Sequence, residues 1–170
     1  MNAKHFQENS SSRAFGFSGF GAVGRSTLRI ALAGLAIVVV GGCAVPKHLN
    51  SGKVLPTTLP FSEAVQVGPT LYLSGQIGNI PGSLKLPPGG IQPEARQVME
   101  NIKTSLEAHG YKLSDVVKCT AMLADMNEWN AFNEVYKTYF TAGKFPARSA
   151  FGASGLAFNA RVEVECIAAR

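Results

Sequence analysis

Cysteine and histidine are scarce in this chain, three of each in 170 residues. Cys43, Cys119, Cys166, His5, His48 and His109 show none of the short spacings of a metal site, so no metal is expected. Long apolar runs are also lacking: Ile30 to Val40 stops well short of the roughly 20 residues that a membrane-spanning helix needs. Nor is there a basic domain. Four of the 16 Lys and Arg and one of the 11 Asp and Glu precede Cys43, which leaves 12 basic against 10 acidic residues beyond it. That near-neutral remainder, with no basic stripe interleaved with aromatics, gives no reason to expect nucleic acid as a partner. Hydrophobic residues make up 46%, ordinary for one globular domain of this length.

What is present begins with a targeting pattern. Arg25 and Arg29 precede the apolar run, and Gly41-Gly42-Cys43 follows it. A basic region, a short apolar core and small residues before a cut describe a secretory signal. Val40-Gly41-Gly42-Cys43 resembles the bacterial lipobox, whose cysteine is lipidated and becomes the new N-terminus. Residues 1–43 are therefore read as a signal segment, with membrane attachment through lipid on Cys43 and a place in the cell envelope facing the periplasm. A cytoplasmic location is the alternative if the N-terminus is mis-assigned, since the Ser/Gly-rich stretch before Arg25 is long for such a signal. Residues 44–60, with Pro46, Pro56, Pro60 and Ser51-Gly52, read as a flexible tether, and residues 61–170 as the domain. Cys119 and Cys166 fall in strand-like runs and are read as two buried free thiols, with a disulfide as the alternative in an exported protein.

Periodicity outlines the domain. Ala64–Val67, a turn at Gly68-Pro69, and Leu71–Ile77 read as strand, turn and strand. The stretch from Gly78 to Gly90, rich in proline and glycine, is loop. Pro93-Glu94 opens a helix whose apolar face is Ala95, Val98, Met99, Ile102 and Leu106, and Gly110 ends it in a left-handed cap. Val116 to Leu123 is a third strand. A second helix starts at about Asn127, which caps it, and buries Trp129, Phe132, Val135, Tyr136 and Phe140. Two more strands, about Arg148–Ala153 and Ala160–Ala168, close the order β-β-α-β-α-β-β. The class is α+β, a mixed sheet with two helices on one face. Val162, Val164 and Cys166 point one way on the last strand, and Arg161, Glu163, Glu165 and Ile167 the other. A second face of that mixed kind suits a subunit interface, so an oligomer is expected.

Arg148 follows Phe145-Pro146-Ala147, where the fixed φ of proline favours extended chain. An arginine at a strand entrance offers a planar fork of donors that fits a carboxylate. Val162-Glu163-Val164-Glu165 supplies a carboxylate pair as candidate base, and a plain Arg148–Glu163 or Arg148–Glu165 ion pair across neighbouring strands is the competing structural reading.

Several segments together resemble the Rid/YjgF family of reactive-intermediate deaminases, once labelled L-PSP endoribonucleases. They are Leu71-Tyr72-Leu73-Ser74-Gly75-Gln76-Ile77, Gly89-Gly90-Ile91 leading to Arg96, Asn101 and Ile102, and Asp115-Val116-Val117-Lys118. Asn133-Glu134-Val135-Tyr136, Phe145-Pro146-Ala147-Arg148-Ser149 and Val162-Glu163-Val164-Glu165 complete the ordered set. The resemblance implies a chorismate-mutase-like homotrimer with sites in clefts between subunits. It implies hydrolysis of enamine or imine acids such as 2-aminoacrylate to 2-keto acids and ammonia without a cofactor. By it, Arg148 grips the substrate carboxylate and Glu163 activates or orients water. Ser74, Gly75 and Asn133 match residues near the cleft, and Tyr136 reads more readily as a core aromatic. Phe61 stands in the cleft where many members carry tyrosine, and Ala150 where many carry cysteine or threonine. Carboxylate binding is expected to survive both changes, while rate or substrate choice is open to them. The alternative function is an envelope lipoprotein that binds small carboxylates without turnover. The ribonuclease label finds no support in the charge.

Overall fold

The alternating run from Val162 to Ala169 forms the central strand of a seven-stranded mixed sheet. The computed structural model describes residues 44–170; residues 1–43, where a signal segment ending at Cys43 is expected, lie outside the described residues. In chain order the elements are β1 (Lys47–Leu49), β2 (Ala64–Val67), β3 (Thr70–Leu73), β4 (Gln76–Ile77), α1 (Ile91–Ala108), β5 (Val116–Leu123), α2 (Trp129–Tyr136), β6 (Ala147–Gly152) and β7 (Val162–Ala169). The strands lie in the order β1-β2-β3-β7-β5-β6, and β4 also pairs with β7. Every pairing is antiparallel except β5 with β6, which is parallel.

Each helix is amphipathic, and the two helices cover one face of the sheet. Ala95, Val98, Met99, Ile102 and Leu106 of α1 and Phe132 and Val135 of α2 pack with Leu71, Cys119, Ala121, Leu123, Val164 and Cys166 in one core. Gly110 takes φ +81° after α1. Its N–H reaches the Glu107 carbonyl at 3.2 Å and the Tyr111 N–H reaches that of Leu106 at 2.9 Å, a Schellman cap. Val162, Val164, Cys166 and Ala168 are buried beneath the helices, whereas Glu163, Glu165, Ile167 and Ala169 turn to the opposite face. Tyr72 and Phe151, on that second face, are 47% and 51% exposed.

The structure corrects several expectations. Part of the supposed tether is fold: β1 pairs with β2, and Val54 is buried. Prolines and glycines mark turns in this stretch, but a three-residue strand needs only a free sheet edge to pair with. The segment is tied further inward by Glu63. Its backbone N–H donates to Asn50 Oδ1 at 2.9 Å, and its carboxylate accepts from the Ser51 N–H at 2.6 Å and from Ser105 Oγ on α1 at 2.5 Å. Burial alone would raise the Glu63 carboxyl, but these bonds and nearby His109 hold it below its usual value. The Leu71–Ile77 run is two strands, interrupted at Ser74-Gly75. A single 3₁₀ turn over Met126–Glu128 precedes α2, and the cap is Asp125, whose Oδ1 accepts the Asn127 N–H at 2.9 Å. Finally, Cys119 and Cys166 form a disulfide and are not free thiols: they are directly opposed across β5 and β7 with Cα atoms 4.1 Å apart. Sequence spacing does not disclose that register.

Candidate active site

Arg148 enters the structure on β6, opposite Cys119 of β5, and so shares the helix side of the sheet. Residues 129, 132 and 136 of α2 recur at helical spacing, which stacks Trp129, Phe132 and Tyr136 along one edge of the helix. The guanidinium carbon of Arg148 lies 4.7 Å from the Trp129 ring centre, 5.6 Å from Phe132 and 4.5 Å from Tyr136. Its Nη2 donates to Asn133 Oδ1 at 2.7 Å. Aromatic faces and one amide therefore fix the guanidinium without neutralising it, since ring faces attract a cation electrostatically. Among the described residues no carboxylate pairs with it. A cavity of about 300 Å³ opens beside it, lined by Asn133, Tyr136, Lys137, Phe145, Pro146 and Arg148. The Tyr136 hydroxyl is buried and finds no protein partner. Burial pushes this phenol up to about 12, despite the opposing effect of Arg148, so it stays a protonated donor.

Glu163 sits on β7 between Ile77 of β4 and Met122 of β5, on the face away from the helices. The pairing register along β7 slips by one residue between Tyr72↔Ile167 and Gln76↔Val164. Ser74 and Gly75 lie within that slip, a bulge of the kind that re-aims side chains near functional sites. Gly75 is flush against the Glu163 carboxylate, and a Cβ at position 75 would fall on Glu163 Oε1. Burial pushes the Glu163 carboxyl up, and neighbouring Glu165 adds to the effect. A recess of about 260 Å³ borders Glu163 and Gly75, with Phe61 and Ile77 in its wall.

Two other features hold β7 and the loop before β4. Glu94, buried in the first turn of α1, accepts the Arg161 N–H at 2.6 Å and the Val162 N–H at 3.3 Å on one oxygen, directly before Glu163. Burial raises its carboxyl against the pull of those two bonds. Asn101 donates to the carbonyls of Ile77 at 3.0 Å and Asn79 at 2.8 Å. Neither is foreseeable as a positioning group from periodicity, which places Glu94 only as a first-turn acid.

The expected residues thus fall into two half-sites. Arg148, Asn133 and Tyr136 form one, and Tyr136 serves both the core and the guanidinium. Glu163, Gly75 and Phe61 form the other. Directly opposed residues share a face, so the pairings Cys119↔Arg148, Met122↔Glu163 and Cys119↔Cys166 put Arg148 and Glu163 on opposite sides of the sheet. The competing reading, an ion pair across neighbouring strands, is overturned, because β5 separates β6 from β7. Ser74, expected at the cleft wall, lies in the bulge beside Gly75. Its hydroxyl donates to the Ser62 carbonyl at 2.7 Å and pins the chain beside Phe61.

Comparison with known proteins identifies the family and the fold. Residues 52–170 match the family described as Endoribonuclease L-PSP. The 2-iminobutanoate/2-iminopropanoate deaminase of Mus musculus is 46% identical over 124 residues, which cover 73% of this chain and 91% of the mouse protein. The crystal structure of RidA from the Antarctic bacterium Psychrobacter superposes with a TM-score of 0.68 at 35% identity, covering 73% of this chain and 99% of that one. TdcF of E. coli, solved with bound serine, superposes with a TM-score of 0.68 at 30% identity, covering 73% and 98% of the two chains.

Proposed function

Since the chain belongs to the Endoribonuclease L-PSP family, which is the Rid/YjgF family, we propose that it is an imine deaminase that hydrolyses small 2-imino acids to 2-keto acids and ammonia. The observation that carries this reading is the caged Arg148, a cation held rigidly by Trp129, Tyr136 and Asn133 with no acidic partner among the described residues. A fixed, uncompensated fork fits a carboxylate. The imine follows from the similarity to the mouse deaminase.

The chemistry asks for positioning and one proton shuttle. Arg148 binds the carboxylate through its free N–H groups, and the Tyr136 hydroxyl is available as a further donor. Water adds through oxygen to C2 of the imine, while Glu163 takes a water proton and returns it to nitrogen. Collapse of the resulting carbinolamine expels ammonia and leaves the keto acid. A carboxyl pushed upward by burial is suited to such exchange near neutral pH. Holding a reactive imine in place accounts for much of the gain.

One small substrate cannot span the sheet, so the Arg148 half-site of one subunit meets the Glu163 half-site of another in a homotrimer. Support for this comes from the opposite facing of the two residues and the exposed Tyr72 and Phe151. The protein is also exported and lipid-anchored through Cys43, a reading supported by the Val40-Gly41-Gly42-Cys43 pattern and by a disulfide suited to an oxidising compartment.

The decisive assay follows ammonia and keto-acid release from freshly generated 2-aminoacrylate by the full chain in detergent, beside Arg148→Ala. Turnover lost on substitution supports deamination. Keto-acid binding without turnover replaces it with the binding reading. Processing sensitive to globomycin, or palmitate labelling that depends on Cys43, tests the anchor, and an unmodified product defeats it.

A further inference from the structure

The recess beside Glu163 is more apolar than three- or four-carbon substrates require. Its wall includes Leu55, Leu59, Phe61, Ile77, Leu84 and Phe158. Asn79, also in its lining, is fully buried and already engaged: its amide donates to the carbonyls of Val54 at 3.3 Å and Ser83 at 3.4 Å. Apart from Glu163, then, the recess has no side-chain polar group free to serve a substrate. Its volume of about 260 Å³ leaves space beyond a methyl group.

In a single protomer the rim is apolar and exposed. Phe61 is 49% exposed, Leu84 45% and Phe158 57%. Apolar side chains gathered around a concavity mark a ligand surface, whereas scattered ones need no explanation. Phe158 adds a second, independent sign. It holds φ +57° and is followed by Asn159 at +58°, a left-handed backbone that is unfavourable for a bulky residue. That strained turn keeps an aromatic ring at the mouth of the recess and not in the core.

We infer that this recess is the side-chain pocket of the site and that the chain prefers imino acids with branched apolar or aromatic side chains over the three- and four-carbon ones. The inference rests on the deaminase reading above and names its substrate class. Each added methylene in an apolar pocket is worth about tenfold or more in discrimination. A hydroxyl-bearing side chain gains little there, because Asn79 is engaged through both its amide nitrogen and its oxygen and the Glu163 carboxylate is taken up by the attacking water.

The test compares imines released in place from alanine, leucine and phenylalanine by an amino-acid oxidase, using the full chain in detergent. The leucine-derived imine is expected to show kcat/KM at least about tenfold above the alanine-derived one. Phe158→Ala and Leu84→Ala each move that ratio toward one, and Arg148→Ala lowers both rates together. A ratio within one preparation is insensitive to a misfolded fraction, and Leu84 lies outside any helix or strand. Equal rates, or preference for the alanine-derived imine, overturn the pocket and leave the deaminase reading standing. Hydrolysis of none of the three overturns both.

Discussion

Arg148 is the residue on which the proposed site turns, and its environment says more than its charge. A lysine at the same place keeps the charge but loses the planar fork and most of the stacking on Trp129 and Tyr136. Arg148→Lys is expected to lower kcat/KM about a hundredfold, the order of loss that misplacing a substrate brings, with an unchanged circular-dichroism spectrum. Glu163 gives the complementary case. Its carboxyl is raised in the folded state, so between its unfolded and folded values the native protein binds more protons than the unfolded chain. The stability this residue contributes therefore falls as pH rises through that window, and the ionised form is a burden at neutral pH. Glu163→Gln removes the burden: thermal denaturation at pH 7 should show a higher midpoint, an advantage that fades below the ordinary carboxylate range, while turnover is lost. Arg148 was legible because Pro146 fixes the chain before it. Its aromatic cage was not, since residues 129, 132 and 136 read equally well as plain core.

At the scale of elements, the bulge at Ser74-Gly75 decides where the Glu163 carboxylate points. Alternation across Leu71 to Ile77 describes one continuous strand, but the register slips by one residue and sets Ile77 beside Glu163. Gly75→Ala would push the Glu163 carboxylate from its place while the strand, which needs no positive φ there, persists. Loss of at least about tenfold in kcat at unchanged circular dichroism is expected, and full activity would deny the contact its role. The two long central strands carry a second element-level device. Cys119–Cys166 joins β5 to β7 across 47 residues of sequence. Cys166→Ala is expected to cost about 2–4 kcal/mol in urea unfolding under non-reducing conditions, a difference that vanishes when both proteins are measured with reductant.

For the molecule as a whole, one protomer offers two half-sites and a sheet face with exposed Tyr72 and Phe151. If three copies close on that face, Phe151→Lys leaves a folded but dissociated chain with no turnover, because neither half-site is complete alone. Sedimentation velocity checks it: a trimer for the parent and a monomer for the variant are expected, and an active monomer would refute the composite site.

The sequence by itself determined the class, the amphipathic faces of both helices and the left-handed cap at Gly110, and it marked Arg148 and the Glu163/Glu165 pair as candidates, because periodicity, proline and glycine act over a few residues. Tertiary structure alone decided which strands are neighbours. That ordering places β5 between Arg148 and Glu163, opposes Cys119 to Cys166 and draws β1 out of an apparent tether. Strand order and register depend on contacts between residues far apart in the chain, and a shift of one residue reverses the face a side chain meets.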